Sequence, residues 1–94
     1  MSLIEFMKAA RQRVENGWHQ GSLTDFRGNV DAVGALYDDL SNMRATQNVR
    51  DGHELLNDAA FDRGYISVSH FNDDPQTSQQ DVLDLYDDVI EGLS

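Results

Sequence analysis

In this 94-residue chain, acid–base, metal or nucleophilic chemistry would fall to three histidines, seventeen carboxylates and scattered serines, with no cysteine. His19, His53 and His70 lack the His-x-x-x-His spacing by which one helix face grips a metal. His70 with Asp73 or Asp74 supplies at most two hard ligands in one turn, which is short of a site. Each histidine therefore reads better as a structural or surface residue. No serine lies in a nucleophile-elbow sequence. Gly17, Gly21 and Gly28 follow neither a phosphate-cradling nor a dinucleotide-binding pattern. Without cysteine there is no thiolate nucleophile and no disulfide. No metal or cofactor is expected, and the chain reads as non-enzymatic.

Two groupings remain. The first joins Trp18, His19 and Gln20 with His70, Phe71, Asn72 and Asp73, two polar-aromatic clusters at element boundaries that a small fold can bring together. Such a meeting would make a ligand pocket or a small active site; the competing reading is that Asn72-Asp73 organises a turn. The second grouping is Asp81, Asp84, Asp87, Asp88 and Glu91, which share one face of a helix. Asp84/Asp88 and Asp87/Glu91 are like-charge pairs four residues apart. The last three acids also crowd the negative end of the helix dipole. No Lys or Arg neighbours them in sequence, and local rules broken together on one face can mark function. We read that face as a docking surface for a basic patch on another protein, against the plainer reading of a solubilising surface. Exposed carboxylates of this kind have nothing to shift their pKa toward acid–base catalysis.

The elements that position these groups follow from capping and periodicity. Ser2 and Glu5 form a capping box, and Leu3, Phe6, Met7, Ala10 and Val14 make one apolar face of a helix that Asn16-Gly17 ends. Lys8, Arg11 and Arg13 suit its C-terminal half. Trp18 to Thr24 reads as a short strand, residues 25–29 as a turn, and Val30 as the start of a return strand. Asp31 then caps a second helix through about Met43, with Val33, Leu36, Tyr37, Leu40 and Met43 as its stripe. Gly34 inside it costs about 1 kcal/mol relative to Ala, which points to a close neighbour, Trp18 or the first helix. Residues 45–52 read as a loop and His53 to Asp62 as a third helix, stopped by Gly64. Tyr65–Ser69 reads as extended and His70–Pro75 as a turn. Thr77 and Gln80 form the capping box of a last helix whose inner face is Val82, Leu83, Tyr86, Val89, Ile90 and Leu93. The expected fold is mainly α, about four helices in a compact bundle with a small β-hairpin or extended segment between helices 1 and 2. It forms one domain over residues 1–94.

Charge sets the class of partner. The net charge is −10, and residues 64–94 hold seven acids and no Lys or Arg. That excludes non-specific binding to a nucleic-acid backbone, which needs a basic footprint, and favours basic protein surfaces or imitation of a polyanion. No apolar run reaches the roughly 20 residues of a membrane span, and no signal-peptide pattern opens the chain. A cytoplasmic protein is expected.

Taken together, G-W-x-Q-G-x-L-x-D-x-x-G-x-V-D-A-x-G-A-L and F-N-D-x-P-x-T-x-x-x-D-V-L resemble a family of small actinobacterial and actinobacteriophage proteins of unknown function. The matches are Gly17, Trp18, Gln20, Gly21, Gly34, Ala35, Leu36, Asn72, Asp73, Thr77, Val82 and Leu83. Phe71 stands where that family commonly has Trp, and Val33 where it often has Cys, so chemistry resting on that Cys is absent here. The resemblance implies a fold and an actinobacterial or phage setting, but no activity. The expected function is therefore a small acidic interaction protein that binds a host protein with a basic patch and modulates or inhibits a host process. The alternatives are a ligand-binding module or enzyme using the Trp18–Gln20/His70–Asp73 region, and a self-associating protein whose homodimer adds core to a small chain.

Overall fold

Ser2 accepts the amide of Glu5 at 3.3 Å and donates its hydroxyl to the Glu5 carboxylate at 3.0 Å, starting helix α1 (Leu3–Asn16). The computed structural model describes residues 1–25, 27–38 and 43–94. Within them it is a mainly α bundle of α1, α2 (Gln47–Asp62), α3 (Val68–Asp73) and α4 (Gln79–Leu93). Met7, Ala10 and Val14 of α1 are fully buried, and α1 packs most extensively against α4. From α4, Val82, Leu85 and Tyr86 are fully buried. The Tyr86 hydroxyl donates to the Ala32 carbonyl at 2.6 Å. Burial lifts the phenol far above its ordinary pKa, so it stays a donor.

The expected hairpin is an extended excursion held by single bridges. Val30 pairs with Trp18 in parallel and with Thr24 in antiparallel sense. The turn itself is built by Asp25, whose carboxylate accepts from the amides of Arg27 and Asn29 at 2.8 and 3.0 Å and from the Asn29 side chain at 2.9 Å. Gly28 takes φ +86° there; Phe26 lies outside the described residues.

Over residues 31–38 and at Met43, the described part of the second helix expected from Asp31 to Met43, no α-helix is formed. In its place is one 3₁₀ turn, Gly34–Leu36, ended by extended Tyr37. Every residue from Val30 to Leu36 is buried, so this run threads the core and has no solvent face for an amphipathic helix to present. The residue at the cap position of this turn is Val33 and not Asp31, but the Asp31 carboxylate braces the turn from two residues ahead, accepting the amides of Val33 and Gly34 at 3.0 and 2.6 Å. The expected stripe residue Leu40 lies outside the described residues. The close neighbour of Gly34 is neither Trp18 nor α1: a Cβ there would sit 2.0 Å from the Leu23 carbonyl oxygen.

Three boundaries also move. Residues 47–52, expected as loop, are the first turns of α2, because Thr46 accepts the Val49 amide at 3.3 Å and caps the helix early. Gly52 is thus interior, and a Cβ there would meet the Met7 sulfur at 2.8 Å. The segment expected as extended chain and turn contains α3, capped by Ser67 on the His70 amide at 3.2 Å; Val68, Phe71 and Asn72 are its buried residues. Finally, the capping box of α4 is Ser78 with Asp81, one residue beyond the Thr77–Gln80 pair. Thr77 is buried instead.

Candidate functional site

The fold draws Trp18, His19 and Gln20 onto Asn72 and Asp73. The α3 cap and the Val68 amide, held by Asn57 at 2.8 Å, turn Asn72 into the core, where it has no exposed surface. Its side-chain oxygen accepts the Trp18 indole N–H at 2.7 Å and the Ala32 amide at 3.0 Å. Its nitrogen donates to the His19 carbonyl at 3.3 Å and to Asp73 at 3.1 Å. Gln20 donates to the carbonyls of Asn72 and Asp74 at 2.9 and 2.7 Å, and the Gly21 amide donates to Asp73 at 3.0 Å. A carboxamide offers two donors and two acceptor lone pairs. All four positions of Asn72 are used within the chain, and none faces a ligand.

His70 stands apart from this cluster. Its Nδ1 lies 2.9 Å from the Ser67 hydroxyl. With Tyr65, Ser69, Asp73 and Asp74 it lines a shallow hollow of about 430 Å³. Tyr65 donates to Asp74 at 2.6 Å. That bond lowers the Asp74 pKa and raises that of Tyr65, moving both away from neutrality, where a general acid or base must work. His19 Nε2 is buried without a hydrogen-bond partner among the described residues. Asp31, also buried, has a raised pKa, chiefly through loss of hydration and against the pull of the Gly34 and Val33 amides. No group of three or more His, Asp or Glu able to hold a metal occurs among the described residues.

The five α4 acids are all exposed, yet they are not equivalent. Asp81 accepts the Ser78 amide at 2.9 Å as part of the cap, and Asp84 accepts from Gln80 at 2.9 Å. Asp87 takes a two-pronged contact from Arg11 of α1, at 2.6 and 3.3 Å, which raises the guanidinium pKa further. Asp88 pairs with Arg63, just past α2. The cations missing along the α4 sequence are thus supplied to two of its acids by other elements. Among the described residues Glu91 carries no ion pair.

A second acidic row went unrecognised from the sequence: Asp51, Glu54, Asp58 and Asp62, spaced three, four and four residues apart along α2. That spacing puts them on one side of a helix. The signal was readable, but placing the helix start at His53 left Asp51 in a loop and hid the row. Between this row and α4 lie two hollows of about 270 and 300 Å³ that share Leu55, Asp58 and Leu93, and so form one groove.

The fold and surface define a helical protein with a carboxylate-rich side and, among the described residues, no assembled metal cluster and no helix long and apolar enough to cross a membrane. The chain belongs to the family of unknown function DUF6197, whose model matches residues 1–92. Neither the curated proteins nor the solved structures contain a match to it.

Proposed function

We propose that this protein is a small non-enzymatic docking protein that engages a basic patch on another protein through the acidic side formed by α4. The observation that carries this reading is the split within α4: Asp87 and Asp88 are paired with Arg11 and Arg63, while Asp84 and Glu91 keep exposed carboxylates without an ion pair among the described residues. Like charges held on one helix face at some local cost attract a complementary surface and speed its approach. The resemblance to actinobacterial and actinobacteriophage proteins supports a partner in the host cytoplasm. Modulation or inhibition of that partner is the consequent role.

The test is affinity capture from host lysate with the wild type and an Asp84→Asn/Glu91→Gln variant, at low and high salt. A discrete partner is expected that the variant loses and that high salt releases, since screening shortens the reach of charge from about 10 Å at 0.1 M to about 3 Å at 1 M. Capture indifferent to both changes refutes the proposal. A ligand site at the His70 hollow has less support, because Tyr65 and Asp74 are bonded to each other and the Asp73 carboxylate is engaged by Gly21 and Asn72. Self-association through the acidic side is opposed by the −10 charge of each copy.

A further inference from the structure

The groove between α2 and α4 has a floor and a rim of different chemistry. Half-buried Leu3, Leu55, Ala59 and Leu93 form the apolar floor, with Val89 beneath. Asp51, Glu54, Asp58 and Asp62 stand along the α2 side, and Asp88 along the α4 side. The lining therefore holds five acids against one base, Arg63, which is already paired with Asp88. From Asp51 to Asp62 the α2 rim runs about 16 Å at 1.5 Å per residue, the length of three helical turns.

We propose that this groove seats an amphipathic helix of a partner protein, with apolar anchors one turn apart on the leucine floor and Lys or Arg flanking them against the rim. This rests on the acidic-docking reading above and names its occupant. Helix-in-groove recognition places anchors at i, i+3 or i+4 and i+7, and a floor of about three turns takes such a set. Charge complementarity selects the occupant. A nucleic-acid strand brings phosphates to a negative rim and is repelled. A second copy brings a net charge of −10 to an already acidic rim, and two of its three α1 bases are committed elsewhere: Arg11 holds Asp87 and Glu15, and Arg13 donates to the Ala35 carbonyl at 2.6 Å.

The experiment is a titration of the ¹⁵N-labelled full chain, followed by amide shifts, with a designed Leu/Lys peptide of about four helical turns. Its control has the same composition with the leucines redistributed around the helix. Saturable shifts at Leu55, Asp58, Ala59, Val89 and Leu93, with the control binding at least about tenfold more weakly, support the proposal. Ala59→Arg, which plants a cation and bulk on the floor, is expected to abolish those shifts. Asp58→Asn/Asp62→Asn, two exposed changes that spare the core, is expected to weaken binding about tenfold. Equal binding of the two peptides, or shifts confined to the outer face around Asp84 and Glu91, overturns the groove but leaves the acidic-docking reading standing. Failure of both peptides to bind overturns the groove, while salt-sensitive capture through Asp84 and Glu91 remains a separate test of that reading. A dimeric mass before peptide is added, with the groove amides broadened, overturns the proposal in favour of a second copy.

Discussion

The indole N–H of Trp18 donates to the side-chain oxygen of Asn72 at 2.7 Å, joining two residues 54 apart in the chain. The same oxygen accepts the Ala32 amide, while the Asn72 nitrogen holds the His19 carbonyl. One buried carboxamide thus fastens the excursion after α1, the buried run before the 3₁₀ turn, and α3. Removing it strands two donors and an acceptor, and an unsatisfied buried polar group costs about 1–3 kcal/mol. Asn72→Ala is therefore expected to lose about 3 kcal/mol or more in urea denaturation, followed by the emission of Trp18, the only tryptophan. Trp18→Phe leaves Asn72 with the Ala32 donor and is expected to lose only about 1 kcal/mol from the hydrogen bond, read by circular dichroism. An Asn72→Ala protein within about 0.5 kcal/mol of wild type would contradict the clasp.

Much of this arrangement was legible because it depends on short-range chemistry. Ser2–Glu5, Gly17 and the α4 stripe are local signals, and α1 and α4 lie where those signals put them. Trp18 and Asn72 stood out as polar-aromatic residues at element boundaries, and they do meet. The errors arose where tertiary contacts outvoted local preference. Gly52 falls in the stretch that reads as loop, but its missing Cβ is a slot for Met7 inside a helix. Val33, Leu36 and Tyr37 have helical spacing, yet every residue from Val30 to Leu36 is buried and the run needs only one 3₁₀ turn. The pairing of Asp87 with Arg11 crosses 76 residues and leaves no trace in spacing.

Two glycines are expected to respond oppositely to alanine. At Gly34 the added methyl would lie 2.0 Å from the Leu23 carbonyl oxygen and 2.8 Å from its carbon. That obstacle is backbone, and it also carries the Asp31 amide bond at 3.1 Å. Gly34→Ala is expected to cost about 2–3 kcal/mol, the upper part of the overpacking range. Gly92, in the last turn of α4, has nothing within 4 Å of where the alanine methyl would lie. Gly92→Ala is therefore expected to gain up to about 0.5 kcal/mol from helix propensity. Thermal melts of the two variants check the pair, and a Gly34→Ala protein as stable as wild type would show that the backbone at Leu23 yields.

Asp31 makes a pH prediction with a definite sign. Loss of hydration raises its folded-state pKa, and the charge of Asp73 adds to this. A carboxyl with a raised folded-state pKa binds its proton more tightly when folded. Its contribution to stability is complete below the unfolded value, about 3.9, and is lost as pH rises through the raised value. Asp31→Asn keeps an oxygen for the Val33 and Gly34 amides and removes that loss. The variant is expected to gain on wild type at pH 7 and to lose that advantage at pH 3. The comparison must be differential, because Asp25 and Asp74, lowered by their bonds to Asn29 and Tyr65, weaken both proteins on acidification. A stability difference that does not vary with pH would remove Asp31 from the account.

The acids of α4 separate by partner, and so do their expected effects on stability. Arg11–Asp87 ties α1 to α4, and Arg63–Asp88 ties the end of α2 to α4. Both carboxylates are half exposed (51% and 57%), so Asp87→Asn or Asp88→Asn is expected to cost no more than about 1 kcal/mol, less at high salt. Asp84 and Glu91 behave differently. Asp84 repels Asp88 one turn away, a like-charge penalty of a few tenths of a kcal/mol, and Glu91 sits in the last turn, where the helix dipole disfavours an anion. Asp84→Asn/Glu91→Gln is therefore expected to leave stability unchanged or slightly raised. Urea denaturation at low and high salt distinguishes the two classes. If the double variant is destabilised as much as Asp87→Asn, its carboxylates are structural, and a loss of partner capture in it would say nothing about docking. If it is as stable as wild type, that loss measures the recognition of charge alone.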